Sequence, residues 1–232
     1  MSGFVKASLF GFLLIVQIVK VQADSDTIQP KVKIIAGTGM YFNDLSCMNT
    51  WFDYYNYPTL PSGSGMGLLG INWELTKKWS AGFQISQSNS GVQRKSGYGV
   101  SYQSAALDVY AVWKLIRMRN FSLGPIAGFE ARSVNINMEK TLSAKASLDD
   151  LLSHSNTLSS NSGAILRNSA RNLEFGIWIE TNFPSQRTQT GIRILGSGGS
   201  GSRWQMNEQI LYDSPRNGIR GIQVDAFLSF RL

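Results

Sequence analysis

The sequence predicts an all-β chain: a transmembrane, antiparallel, up-and-down β-barrel of about eight strands. Three observations carry this. The C-terminal stretch Gly218 to Leu232 alternates, with Ile222, Val224, Ala226, Leu228, Phe230 and Leu232 apolar. Gln223, Asp225, Ser229 and Arg231 between them are polar, and Phe227 is the exception. A period of two over that length is a strand with one apolar and one polar face. Similar segments recur along the chain, and their connections alternate between long and tight, the pattern of barrels that cross a bilayer. Beyond the first 23 residues no apolar run reaches the ~20 residues of a spanning helix, so a membrane-spanning chain must be a closed sheet.

Residues 1–23 read as a secretory leader. Lys6 supplies its positive start, Ala7 to Val19 its apolar core, and Val21-Gln22-Ala23 a small-residue cleavage site. Residues 24–30 form a short periplasmic lead, and 31–232 the barrel domain. The first strand, Lys31 to Phe42, puts Val32, Ile34, Ala36, Thr38, Met40 and Phe42 on one face, with Lys33, Gly37, Gly39 and Tyr41 on the other. Residues 43–64 read as a loop rich in aromatics. Gly65 to Leu75 follows, with Leu69, Ile71 and Trp73 outside and Asn72 and Glu74 inside. A tight turn at Thr76-Lys77-Lys78 leads to Trp79, Ala81, Phe83 and Ile85 facing out.

Residues 88–98 read as a short polar loop. The next strand, Gly99 to Ile116, has Leu107, Val109, Ala111 and Trp113 outside and Tyr102, Ser104, Asp108 and Tyr110 inside. After a turn at Arg117 to Asn120, Phe121 to Ala131 alternates again. Pro125 cannot donate to a ladder, so a local bulge is expected there. Residues 134–170 read as the longest insertion. Leu173, Phe175, Ile177 and Ile179 then face out, with Glu174, Trp178 and Glu180 inside. Ile192 and Ile194 face out on the seventh strand, before a Gly/Ser run from Gly196 to Ser202 opens the last loop, to about Asn217. Trp73, Trp79, Trp113, Phe121, Phe183 and Phe230 all fall toward the tight-turn side, as an interfacial girdle requires.

Composition narrows the function classes. The formal net charge is +7, and Lys6 and Lys20 in the leader account for two of these, leaving +5. The basic residues form no run dense enough for nucleic acid. A single cysteine, Cys47, excludes an intrachain disulfide. No phosphate-binding loop or metal-ligand spacing is present, so no cofactor or metal is expected.

The leader, GMGLLGINWEL (65–75), LGPIAGFEA (123–131) and the closing VDAFLSFRL (224–232) together resemble the small eight-stranded outer-membrane barrels of the OmpA/OmpX type. The resemblance covers most of 31–232. It implies the outer membrane of a Gram-negative bacterium, with the bilayer and lipopolysaccharide as surroundings. It also implies recognition of the last strand by the outer-membrane assembly machinery, with Phe230 near the end and Leu232 last.

Two constellations are candidate sites. Asp108, Glu130, Arg132, Arg193 and Asp225 all face inward by parity, and opposite charges in a narrow interior must pair. They form an expected structural ion-pair network. Trp51, Phe52, Tyr54, Tyr55 and Tyr57 in the first long loop are a candidate surface for an extracellular protein or glycan. The leading expectation is a structural or surface-interaction role and no enzyme activity. The alternatives are a narrow channel for small solutes or hydrophobic molecules, and a lipid-modifying enzyme of lipid A deacylase or acyltransferase type centred on His154.

Overall fold

The computed structural model describes residues 31–140, 164–182, 188–206, 209–210 and 220–231. The leader, His154, Phe183 and Leu232 lie outside them. Eight long strands form the barrel: β1 Lys31–Asn43, β2 Gly63–Glu74, β3 Trp79–Lys95, β4 Tyr98–Trp113, β5 Phe121–Lys140, β6 Ala164–Asn182, β7 Thr188–Gly201 and β8 Gly221–Arg231. Among the described residues one helix, α1, spans Ser46–Tyr54. Each strand pairs antiparallel with its sequence neighbours, and β8 closes on β1 from Lys33↔Arg231 to Asn43↔Gly221.

Closure fixes the geometry. Stepping across register partners from Val32 leads through Trp73, Ala81, Ala111, Ala127, Phe175, Gly196 and Ile222 to Phe42 on the starting strand. The path returns ten residues further along β1 than it began. For eight strands that stagger requires a tilt of ~40°. Every side chain on the path is outward-facing and apolar or a glycine. The outer surface is accordingly hydrophobic, with Phe129 58% and Phe175 62% exposed, while Glu130, Arg132, Glu174 and Glu180 of the same strands are buried. This is a soluble protein inverted, as lipid requires. At the tight-turn end Trp79 and Trp113 stack with centroids 5.9 Å apart, and Thr76 Oγ1 accepts from the amides of Lys78 and Trp79.

The long connections differ from expectation. Residues 88–98 are not a loop: β3 and β4 run on to a two-residue turn at Ser96-Gly97, with a bulge between Asn89 and Val92. Ser96 and Gly97 both have positive φ (52° and 80°), the conformation that a two-residue hairpin turn matched to strand twist demands. The insertion expected over 134–170 contracts to 141–163, because β5 and β6 stay paired up to Met138↔Ala164. The Gly/Ser run from Gly196 is largely strand as well, pairing with β6 out to Ala170↔Gly201. Residues 43–64 hold α1. A strand outside the bilayer needs no apolar outer face, so its polar exterior hides it from a reading based on hydrophobicity. The irregularity expected at Pro125 is present on the β4 side. Pairing there shifts by one residue between Val112↔Ile126 and Ile116↔Leu123.

A narrow interior leaves some positions no room for a side chain. A Cβ at Gly191 would lie 2.5 Å from the Ile179 carbonyl oxygen and would run into the Phe227 ring, whereas one at Gly67 meets nothing within 4 Å. Gly191→Val is expected to cost about 2–3 kcal/mol by overpacking, and Gly67→Val close to nothing. Urea unfolding in detergent micelles, followed by tryptophan fluorescence, checks both.

Candidate functional site: a sealed lumen and its extracellular cap

Three layers of side chains fill the barrel along its axis. The layer at the tight-turn end is ionic. Lys33 Nζ lies 2.8 Å from Glu74 Oε1 and 3.1 Å from Glu180 Oε1. Lys114 Nζ lies 2.8 Å from Glu74 and 3.6 Å from Glu180. Lys33 also donates to Gln189, and Ser229 Oγ donates to Glu180 at 3.3 Å. Two lysines and two glutamates thus neutralise one another in a buried ring, with Arg231 3.9 Å from Glu74 at its rim. Parity in the sequence placed Lys33, Glu74 and Glu180 inside but missed this ring. Each member stands at a strand end, where parity gives direction but not height.

The middle layer holds the residues expected to pair. Asp225 and Arg193 are register partners on β8 and β7. Arg193 Nε donates to Asp225 Oδ1 at 2.9 Å and Nη2 to Oδ2 at 3.1 Å, a bidentate pair with both side chains fully buried. Gln223 adds a hydrogen bond to Asp225 Oδ2 at 2.8 Å. The Arg193 guanidinium sits 5.6 Å from the centres of both the Tyr110 and Trp178 rings, and 5.7 Å from that of Phe227. These aromatics belong to an interior cluster with Ile35, Leu68, Val112, Ile126 and Leu195. Across the lumen Arg132 pairs with Glu130, donates to Ser104 Oγ at 2.9 Å, and stacks 3.6 Å from the Tyr41 ring centre.

Asp108 is not paired to an arginine at salt-bridge distance. Gln84 Nε2 donates to its Oδ2 at 2.7 Å, and its neighbours across the layer are Glu130 and Glu174, the three carboxylates lying within 4.8 Å of one another. The structure therefore brings the five expected residues into one layer, with Glu174 as a sixth charge.

The extracellular layer is apolar. Val100, Tyr102, Val134, Ile136, Met138, Leu166 and Ala170 continue the inward faces of β4, β5 and β6 beyond the membrane belt. Leu45, Met48, Phe52, Leu60 and Trp204 pack onto them. Helix α1 thus plugs the mouth. Asn49 holds it to the following segment through two hydrogen bonds with the Leu60 backbone, 2.9 and 2.8 Å. Lys95 Nζ reaches Asp53 Oδ1 at 3.0 Å, and the Tyr57 and Tyr98 rings meet at 4.6 Å, fixing α1 to the β3–β4 hairpin. At its start, contacts from the Ser46 hydroxyl and amide hold the Asp44 carboxyl below the usual carboxylate range.

The aromatic residues expected to form one binding surface therefore divide. Phe52 is fully buried in the plug, which corrects its assignment to the surface: it falls four residues after Met48 on the helical face turned to the core. Trp51 and Tyr57 are partly buried against the same cluster. Tyr54 and Tyr55 are exposed, 82% and 53%, with their rings edge-on at 5.0 Å. Cys47 is exposed on the helix. His154, on which the enzyme alternative rests, lies outside the described residues.

No family model matches the chain, and no curated protein matches its sequence. Solved structures do match. A major outer membrane protein from Thermus thermophilus has a TM-score of 0.53 at 8% identity, over 88% of this chain and 100% of that one. Ail, the attachment invasion locus protein of Yersinia pestis, crystallised with the heparin analogue sucrose octasulfate, has a TM-score of 0.51 at 11% identity, over 88% and 100%. The fold is that of the small outer-membrane barrels.

Removing one member of the Arg193–Asp225 pair leaves a buried charge uncompensated. Arg193→Ala is expected to lower unfolding free energy by about 3–5 kcal/mol, and Arg193→Met combined with Asp225→Leu to restore most of that loss. Equilibrium urea unfolding of the two variants in one detergent measures the difference.

Proposed function

We propose that this protein works at the cell surface of a Gram-negative bacterium, as an outer-membrane barrel that holds a rigid extracellular platform. Its lumen serves as a structural plug. One observation carries the reading: the interior is filled at three successive levels, while the loop end is built into a braced cap with aromatic side chains turned outward. A conduit would need the opposite arrangement. The ionic ring of Lys33, Glu74, Lys114 and Glu180 closes the inner end, and the apolar cluster under α1 closes the outer end.

The same reading assigns residues 1–23 to a leader cleaved near Ala23, followed by insertion through the assembly machinery into a membrane whose outer leaflet is lipopolysaccharide. The outward apolar belt supports the lipid environment, and closure of β8 on β1 supports a last strand that completes the barrel.

The platform combines Tyr54 and Tyr55 with Arg94 and Lys95 at the neighbouring hairpin tip. Exposed rings stack on sugar faces or pack on protein, and Arg94, with Lys95 held by Asp53, leaves the tip a net positive charge that favours an anionic partner. Braced side chains also lose little entropy on binding. Ail was crystallised with sucrose octasulfate, which is a suitable first probe here. The expected result is binding that falls at least tenfold in the Tyr54→Ser/Tyr55→Ser variant and weakens with added salt. Purified protein in planar bilayers is expected to hold a closed baseline. Steady ionic conductance by the wild type, together with unchanged probe binding by the double variant, would count against the surface role.

A further inference from the structure

The middle layer of the lumen is not electrically balanced. Its charged groups are the carboxylates of Asp108, Glu130, Glu174 and Asp225 and the guanidiniums of Arg132 and Arg193, each at most 2% exposed. Among the described residues no further cation enters this layer, since Lys33 and Lys114 are engaged with Glu74 and Glu180 in the ring below. Asp225 is matched by Arg193 and Glu130 by Arg132. Asp108 and Glu174 remain, each with a buried oxygen, Oδ1 and Oε1, that has no hydrogen-bond partner. Uncompensated carboxylates are costly in a low-dielectric interior, so the excess negative charge must be matched by something the chain does not supply.

A second observation is independent of the carboxylates. Gln84, Asp108, Glu130 and Asn172 are successive register partners on β3, β4, β5 and β6, so their side chains stand side by side on the inner face. The two carboxamides donate into the cluster, Gln84 to Asp108 at 2.7 Å and Asn172 to Glu130 at 2.6 Å. Their own oxygens, Gln84 Oε1 and Asn172 Oδ1, are buried beside it without partners. Asp108, Glu174, Gln84 and Asn172 thus present four unpartnered oxygens, two of them carboxylate, where the negative charge is in excess, and Gln223 Oε1 beside Asp225 is a fifth in the layer. All are hard donors, and a soft thiolate or imidazole is not among them.

We propose that Asp108 and Glu174, supported by Glu130 and the carboxamide oxygens of Gln84 and Asn172, hold a divalent cation of calcium type inside the barrel. The donor set favours calcium. Calcium binds oxygens at ~2.3–2.6 Å in flexible geometry, and the three carboxylates lie within 4.8 Å of one another. Magnesium demands near-ideal octahedral geometry and keeps several waters, which suits a closed site built of side chains less. The ion would tie β4 to β6 across β5 and cancel the layer's excess charge. It would enter during folding, before α1 closes the mouth.

The test is to refold the full mature chain into detergent with Ca²⁺, with Mg²⁺ or with EDTA, and to remove free metal. Bound metal is then counted by elemental analysis, and the unfolding temperature is read from the loss of heat-modifiable gel mobility. The expected result is about one Ca²⁺ retained per chain, a higher unfolding temperature with Ca²⁺ than with EDTA, and a smaller rise with Mg²⁺. Glu174→Gln and, separately, Asp108→Asn should abolish both retention and the calcium-dependent rise. Wild-type protein that retains no Ca²⁺ overturns the proposal, as does retention that survives both substitutions. Either result would mean that protons match the excess carboxylates. If neither variant folds, the wild-type metal count and its calcium dependence decide alone.

Discussion

Closing eight strands into a cylinder turns every second side chain into an interior one, and the interior is narrow. The ten-residue stagger between Val32 and Phe42 sets the tilt and hence the bore. Everything inside must fit that bore and satisfy its own polar groups, because lipid outside offers no partner. Gly191 is a glycine because Phe227 and the Ile179 carbonyl occupy its space. Arg193 is held by both oxygens of Asp225 and walled by three aromatic rings because a guanidinium without a partner would be costly there.

The same strands pass through two solvents, and their inner faces change accordingly. Within the lipid belt the outer face is apolar and the inner face carries charge. Beyond the belt, β3 to β6 continue into water, and the interior becomes Val100, Tyr102, Val134, Ile136 and Leu166. That extension is an ordinary water-soluble fold with its core inside, and α1 completes it. Hydrophobic burial therefore braces the extracellular end and ionic pairing closes the other. The platform is rigid because it has a core of its own. Its exposed tyrosines, Tyr54 and Tyr55, stand at the end of the helix whose inner face Met48 and Phe52 anchor.

Much of this was legible in the sequence, for a physical reason. Lipid imposes strict alternation, so the facing of Leu107, Asp108, Val109 and Tyr110, or of Ala226 to Phe230, follows from parity alone. The inverted polarity was harder to read, since alternation does not say which face is inside. The aromatic girdle and the loop lengths resolved it. Outside the bilayer the alternation constraint lapses, and there the boundaries went astray. Ser88 to Lys95, Val134 to Glu139 and most of the Gly/Ser run are largely polar on their outer face, and they read as loop although they are strand. Phe52 looked like a surface aromatic because its helix is short and flanked by tyrosines. The ring of Lys33, Glu74, Lys114 and Glu180 was hidden because it depends on the relative height of four strand ends. That height is set by the stagger, which only the register reveals.

The central claim is that lipid surrounds the apolar face of these strands and that the charged face is interior. It is tested most directly by spin-label accessibility in lipid vesicles, using single cysteines in a Cys47→Ser background. Labels at Leu173 and Phe129, both on the outward apolar face, should relax strongly with molecular oxygen and weakly with a water-soluble nickel chelate. A label at Arg167, outward on the extracellular extension of the same β6, should show the reverse. Strong nickel relaxation at Leu173 and Phe129 would place that face in water and contradict the account.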